Sequence, residues 1–114
     1  MIEEMLLEPK TMKELKSDLL IEVLNLKKAA LILRAANHKL RQQILHLIHK
    51  EGRMTVTKIY VDLRLEQSVA SQHLAILRKA GFVVTEREGK YIFYSVNYAR
   101  LKELHQFCGE LLKA

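Results

Sequence analysis

Apolar residues recur every three or four positions through most of the chain, and between residues 83 and 96 the pattern becomes strand-like. Helical spacing places apolar side chains on one helix face, whereas β-branched and aromatic runs bounded by turn residues are typical of strands. The pattern predicts a mainly α chain with one small β-hairpin, an α+β fold in the order α-α-α-α-β-β-α. The predicted helices span residues 11–36, 38–50, 55–63, 68–80 and 98–112, and the predicted strands span residues 83–87 and 91–96.

Residues with known capping preferences stand at several of these boundaries. Thr11 and Glu14 have the spacing of a capping box at the start of the first helix. Asn37 is predicted to cap the second helix and Asn97 the last one. Gly81 is predicted to end the fourth helix in the left-handed conformation that glycine adopts readily.

The fourth predicted helix has two chemically different faces. Ala70, Leu74 and Leu77 follow one another at i, i+4 and i+7, so they share a face and are expected to pack on a core. The opposite face is small, polar and basic, and consists of Ser68, Gln72, Ala75 and Lys79. Such a face suits the major groove of DNA, because glutamine pairs with adenine edges, serine with several base types and lysine with guanine or phosphate.

Length and charge support a single nucleic-acid-binding domain. The 114 residues suffice for one domain with a modest core. Residues 1–10 are predicted to be a short flexible leader, and residues 11–114 the domain itself. The 19 lysines and arginines exceed the 13 acids, for a formal net charge of +6. This charge favours an anionic partner, with nucleic acid as the first candidate, although a basic protein without such a partner could carry the same net charge.

Cysteine content and the N-terminus indicate the compartment. Cys108 is the one cysteine, so neither an intramolecular disulfide nor a cysteine-rich metal site can form within one chain. The first ten residues carry acids where a signal peptide needs basic residues, and no stretch approaches the roughly 18 apolar residues of a membrane span. We therefore expect a cytoplasmic protein without a membrane partner.

The predicted hairpin has the length of a wing. Residues 88–90 read as its turn, and Arg87 and Lys90 stand at its tip, within reach of phosphates or the minor groove. Glu86 and Glu88 carry the opposite charge and oppose such a contact.

The first helix has a broader apolar face than one small domain is expected to cover, which favours helix pairing across a dimer. The alternative is a helix wrapped by its own domain. The residues assigned to the dimer interface on the first and last helices are Leu15, Leu19, Val23, Leu26, Leu104, Phe107 and Leu111.

Three passages resemble the ArsR/SmtB-type winged-helix transcriptional repressors. Residues 41–45 match the R-x-x-I-L opening of that family's second helix, although residues 37–40 stand where the family usually has an Asp-Pro pair. Residues 67–83 are close to its S-x-x-S-x-H-L-x-x-L-x-x-A-G-L-V motif. Residues 87–94 resemble its R-x-G-[RK]-x-x-x-Y wing, and together the likeness covers roughly residues 12–112.

The resemblance implies a winged helix-turn-helix repressor that forms a homodimer through its first and last helices and binds a pseudo-palindromic operator in double-stranded DNA. Phosphate contacts would set the register and the polar helix face would read bases. The residues assigned to DNA binding are Gln67, Ser68, Ser71, Gln72, His73, Lys79, Arg87 and Lys90.

His73 has two interpretations at this point. The family motif favours a DNA contact, whereas its helical angle places it nearer the face of Ala70, Leu74 and Leu77 than Gln72 is. A base or phosphate contact and a half-buried structural role both remain open. Ser71 is also lateral and suits a phosphate better than a base.

Two well-known metal sites of the family lack their ligands here. Thr55 and Thr57 stand on or beside the positions of a Cys-x-Cys site, and thiophilic metals need thiolates. The positions of a second, His- and Asp-containing site fall at about Tyr98, Arg100, Leu111 and Ala114. The sequence therefore predicts no metal and no cofactor, and it leaves the inducer unknown.

Two histidine-containing pairs are the remaining metal candidates. His105 and Cys108 are three apart on the last helix, so two such pairs in a dimer would supply four zinc ligands. The simpler interpretation is a packing cysteine beside a solvated histidine. His46 and His49 have the same spacing without a third ligand.

Other classes of function fit the residues less well. No nucleophile–base pair, carboxylate pair or glycine-rich phosphate loop stands out, so we expect no enzyme. A winged helix used as a protein-interaction or non-specific nucleic-acid-binding module is the main alternative. A DNA-binding regulator of another winged-helix family is a further one.

Overall fold

The computed structural model describes residues 22–113 of the chain. Contacts divide the chain into residues 1–30 and residues 31–114, and the second unit contains the sheet and all helices after the first. The elements are α1 (Val23–Ala36), α2 (Lys39–Glu51), β1 (Met54–Thr55), α3 (Val56–Asp62), α4 (Gln67–Lys79), β2 (Val83–Glu88), β3 (Tyr91–Val96) and α5 (Tyr98–Leu111). The predicted mainly α fold with a hairpin is confirmed.

Some predictions concern residues that the structure does not describe. They are the flexible leader over residues 1–10, the capping box of Thr11 and Glu14, and the interface residues Leu15 and Leu19. Among the described residues, no helix is both long and apolar enough to cross a bilayer.

The core lies where α2, α3 and α4 pack on one another and on the sheet. Its largest fully buried side chains are Phe82, Ile44, Ile48, Ile59, Leu74, Leu77 and Val83. The helical spacing in the sequence predicted the core-facing side of each of these three helices. The packing of α4 matters most for function, because it sets which face of that helix remains at the surface.

The sheet has three antiparallel strands in the order β1-β3-β2. β2 and β3 form the predicted hairpin, with Val83 opposite Val96 and Glu88 opposite Tyr91. β1 was not predicted, because a two-residue strand has too little sequence to show an alternating pattern. Its pairing places Met54 opposite Tyr94, which closes the sheet against the helices.

One predicted cap is wrong and another is confirmed. His38, not Asn37, caps α2, and its Nδ1 accepts from the backbone N–H groups of Leu40 and Arg41 at 3.2 and 3.4 Å. Asn37 still belongs to the end of α1, because its N–H donates to the Leu33 carbonyl at 2.9 Å. Asn97 caps α5 as predicted.

Candidate nucleic-acid interface

A tight turn joins α3 to α4 and sets the direction in which α4 leaves. The N–H groups of Leu65 and Arg64 donate to the carbonyls of Tyr60 and Val61 at 2.9 and 3.2 Å, the bond pattern of a Schellman motif. Arg64 adopts a φ of +56°, a conformation that costs a non-glycine residue about 1 kcal/mol. The turn is residues 63–66, so α4 begins one residue earlier than predicted, at Gln67.

α4 presents the predicted polar face at the surface. Ala70, Leu74 and Leu77 are fully buried against the core. The polar and small side chains on the remaining turns are exposed: Gln67, Ser68, Ser71, Gln72, Ala75 and Lys79. The helix therefore combines a fixed apolar side with an accessible side of the chemistry that base edges and phosphates accept.

The C-terminal end of α4 is fixed to the start of α5. Gly81 has a φ of +85°, which confirms the predicted left-handed end, and Phe82 N–H donates to the Leu77 carbonyl at 2.9 Å. Asn97 Nδ2 donates to the Gly81 carbonyl at 2.9 Å, and Asn97 N–H donates to the Phe82 carbonyl at 2.9 Å. The side chain of Asn97 thus joins the end of one helix while it caps the next.

Arg41 is a buried charge that supports the middle of α4. It is 7% exposed, and its Nε and Nη2 donate to the carbonyls of Ala35 and Arg34 at 2.7 and 3.0 Å. Its Nη1 lies 3.2 Å from His73 Nδ1. One guanidinium therefore completes the end of α1 and contacts the predicted DNA-binding helix. The R-x-x-I-L match pointed to this residue without revealing its partners.

His73 is engaged inside the protein on two sides. Besides Arg41, the ring of His38 lies against it, with the ring centroids 4.9 Å apart. Burial lowers the pKa of His73, and unfavourable electrostatic interactions with His38 and Arg41 lower it further. Among the predicted DNA-binding residues His73 is the one with a half-buried side chain, and these contacts support its structural interpretation.

The hairpin carries its charges in a defined arrangement. Arg53 Nη2 lies 2.7 Å from Glu88 Oε2, and the Arg53 guanidinium carbon lies 4.1 Å from the centroid of the Phe93 ring. The negative charge of Glu88, which opposed a DNA contact in the sequence, is therefore paired. Arg87 and Lys90 are exposed at the tip, where Arg87 Nε donates to the Gly89 carbonyl at 3.3 Å.

Ile76 is a surface residue that the sequence interpretation missed. It follows Gln72 by one helical turn and is 42% exposed, on the accessible side of α4. An apolar side chain at that position can contact the C5 methyl group of thymine. The sequence feature that could have revealed it is an isoleucine placed one helical turn after Gln72, beside the polar face of the helix.

The five predicted dimer-interface residues that the structure describes fall into two groups. Val23, Leu26, Phe107 and Leu111 are exposed. Leu104 instead packs partly buried against the core of its own chain.

The metal candidates gain no additional ligand in the described part of the chain. There, no three side chains among histidine, cysteine, aspartate and glutamate cluster closely enough to hold a metal ion. Cys108 is a half-buried free thiol and His105 is exposed.

Comparisons with known proteins agree on one class. Residues 38–85 match the family model described as "Bacterial regulatory protein, arsR family". An uncharacterised HTH-type transcriptional regulator of Methanocaldococcus jannaschii is 40% identical over 84 residues, covering 74% of this chain and 94% of the relative. The transcriptional activator HlyU of Vibrio cholerae is 35% identical over 87 residues, covering 76% of this chain and 80% of that protein. The crystal structure of the transcriptional repressor PagR of Bacillus anthracis superposes with a TM-score of 0.61 at 30% identity, covering 76% of this chain and 99% of that one.

Proposed function

The chain belongs to the ArsR family of bacterial regulatory proteins, and we propose that it is a homodimeric repressor of a pseudo-palindromic operator. It is a DNA-binding transcriptional regulator and not an enzyme. The observation that carries the proposal is the two-sided character of α4, which is anchored by Ala70, Leu74 and Leu77 and exposed along Ser68 and Gln72.

In the proposed complex α4 enters the major groove. Gln72 pairs with an adenine edge, Ser68 reads a neighbouring base, and Ile76 contacts a thymine methyl group. Gln67 and Ser71, on the flank of the helix, bind phosphate. Because Arg41 and Asn97 fix α4 at two points, its side chains meet the bases in a single register.

Backbone contacts come from the exposed cations around α4. Lys79 at the end of the helix and Arg87 and Lys90 on the hairpin bind phosphates. These phosphate contacts provide sequence-independent affinity and make binding sensitive to salt. His73 contributes indirectly, by holding the helix against Arg41.

The second copy is proposed to pair through α1 and α5. Leu26 is 61% exposed, Phe107 47% and Leu111 68%, so large apolar side chains on both helices meet solvent in a single chain. Burying such side chains is favourable by about 1.5–3 kcal/mol each. A two-fold pair would present two α4 helices to half-sites ~34–36 Å apart.

We propose that release from DNA is not triggered by a metal bound at either of the two best-known metal sites of the family. Thr55, Thr57, Tyr98 and Arg100 stand at or beside the ligand positions of those sites. These side chains are poor ligands for thiophilic metals and for zinc.

The decisive experiment is selection from a randomised double-stranded DNA pool across a salt series, with and without a chelator. We expect enrichment of a two-fold-symmetric site, to the same extent with and without the chelator. Salt-sensitive binding without an enriched site would favour a non-specific nucleic-acid-binding module. No binding at low salt would favour a protein-interaction module, and loss with chelator would favour a metal site.

Two further measurements test the dimer and the sign of regulation. Sedimentation should give a dimer that Leu111→Glu dissociates, whereas Val61→Glu, a change at a similarly exposed apolar residue of α3, should not. Transcription in vitro from a promoter containing the selected site should fall when the protein is added. An increase would make it an activator, the word that HlyU carries in its name.

A further inference from the structure

A cavity of about 410 Å³ lies between α2, the end of β3 and α5. Its walls are apolar and come from Leu45 of α2, Val96 of β3, and Leu101 and Leu104 of α5. Cavities of this size and character hold small organic molecules. None of the predicted DNA-binding residues lines it, and of the predicted dimer-interface residues that the structure describes only Leu104 does.

The polar groups at the cavity define the chemistry of its occupant. His46, His49, Gln42 and Tyr98 are the polar lining residues, and the lining includes no aspartate, glutamate, lysine or arginine of the described chain. His49 Nδ1 and the Tyr98 hydroxyl oxygen lie 2.7 Å apart. Gln42 Nε2 donates to the Ala36 carbonyl at 2.8 Å, which leaves its amide oxygen as an acceptor. Such a lining suits an uncharged molecule with an apolar body and one hydrogen-bonding group.

We propose that this cavity is an effector site for a small, neutral, largely apolar molecule, and that its occupation lowers affinity for DNA. The effect on DNA affinity rests on the proposed function, whereas the binding of the small molecule does not.

The route from the cavity to the DNA-binding helix is short. Tyr98 lines the cavity and is the first residue of α5. Its neighbour Asn97 donates from Nδ2 to the carbonyl of Gly81, two residues after the end of α4. A molecule that replaces the His49–Tyr98 bond moves the first turn of α5, and Asn97 transmits that movement to the end of α4.

The binding step is tested with the full chain and 1-naphthol, a neutral two-ring probe with one hydroxyl group. Calorimetry should give one site per chain. Leu45→Phe, which reduces the cavity, should weaken binding roughly tenfold, whereas Val61→Phe on the exposed side of α3 should leave it unchanged. Thermal unfolding of both variants verifies that each is folded.

Two results would overturn the effector site. One is absence of naphthol binding by the wild-type chain at the solubility limit of the probe. The other is binding at one molecule per dimer with equal loss in Leu45→Phe and Leu111→Glu, which would assign the cavity to the subunit interface. A second substitution, His46→Ala at an exposed helical position, tests the polar rim without filling the cavity, and it should also weaken binding.

The coupling step is tested on the operator from the selection experiment. Saturating naphthol should reduce operator affinity several-fold in the wild type. Asn97→Asp keeps a capping oxygen for α5 but loses the donor to Gly81, so it should bind naphthol normally and show less reduction. Unchanged coupling in Asn97→Asp would reject this route. If the protein binds no DNA, the proposed function fails, while the naphthol titration still decides on the cavity.

Discussion

Arg41 Nη1 lies 3.2 Å from His73 Nδ1, so a buried guanidinium on α2 hydrogen-bonds to the middle of α4. Arginine carries donors only, which means that His73 Nδ1 accepts and the histidine is neutral with its proton on Nε2. The position of the proposed reading helix therefore depends on the protonation of one half-buried side chain that contacts Arg41 and His38.

Arg41→Ala should lower the free energy of unfolding by about 2–4 kcal/mol, because the substitution leaves two carbonyls and one imidazole without their buried donor. Arg34→Ala is the matched control. Arg34 is an exposed arginine at the same junction, and its backbone carbonyl is unaffected by the substitution, so a change within about 0.5 kcal/mol is expected. Urea unfolding measures both, and equal effects would show that Arg41 has no special structural role.

Stability should fall as the pH falls below the ordinary histidine pKa of 6.5. Burial and unfavourable electrostatic interactions with His38 and Arg41 lower the pKa of folded His73. The folded state then binds fewer protons than the unfolded state, so the contribution is complete above pH 6.5 and is lost as the pH falls toward the lowered value. Unfolding free energies measured from pH 7.5 downward should follow this course.

His73→Gln separates this effect from general acid sensitivity. The glutamine amide oxygen can accept from Arg41 but does not titrate, so the variant should lose part of the pH dependence. His105→Gln, at an exposed histidine of α5, should keep the wild-type profile. Parallel profiles for all three proteins would remove His73 from the explanation.

Two glycines should respond to alanine with opposite signs. Gly81 has a φ of +85°, and a Cβ there would lie 2.8 Å from Arg100 Nε, so Gly81→Ala should destabilise the protein by about 1–2 kcal/mol. Gly109 is helical and a Cβ would meet nothing within 4 Å. Gly109→Ala should therefore stabilise by about 0.5–1 kcal/mol. Thermal unfolding at fixed protein concentration compares them, and stabilisation by Gly81→Ala would contradict the observed turn.

Local patterns predicted α4 well because its two faces and its end are determined within thirteen residues and the turn that follows. Ala70, Leu74 and Leu77 had to face the core, so Gln72 had to face away. Gly81 had to allow the left-handed conformation. None of these inferences requires knowledge of which helices and strands pack against one another.

The features that the sequence did not predict depend on contacts between distant segments. Met54 becomes a strand residue only because Tyr94 pairs with it, forty positions away. Arg41 looked like a motif residue, and its burial depends on the ends of two helices and on His73. His38 caps α2 in place of Asn37 because its backbone is extended and its Nδ1 accepts from Leu40 and Arg41, while the Asn37 N–H is bonded to Leu33 at the end of α1. Side-chain roles at helix junctions therefore need the tertiary structure.

Arg87→Ala should weaken binding to every DNA sequence and reduce the salt dependence. Each phosphate contact contributes about −0.9 to the slope of log affinity against log salt for B-form DNA, so loss of one contact per chain should flatten the slope of a dimer by about 1.8. Glu86→Ala, at a neighbouring residue of the hairpin, should not flatten the slope. Titration of operator and random duplex across a salt series measures both, and selective loss on the operator would make Arg87 a base-reading residue instead.

Gln72→Ala should relax the preference for one base pair in each half-site and leave the salt slope unchanged. A bidentate glutamine–adenine pair discriminates against the wrong base by about 1–3 kcal/mol, and alanine removes both of its hydrogen bonds. Ala75→Ser, a small change at another exposed position of α4, tests whether any alteration of the helix surface has the same effect, and it should keep the preference at that base pair. Selection with each variant from the randomised pool gives the base frequencies. If Gln72→Ala enriched the same operator with unchanged affinity, the reading face would have to be moved to another side of α4, with Ile76 as the next residue to replace.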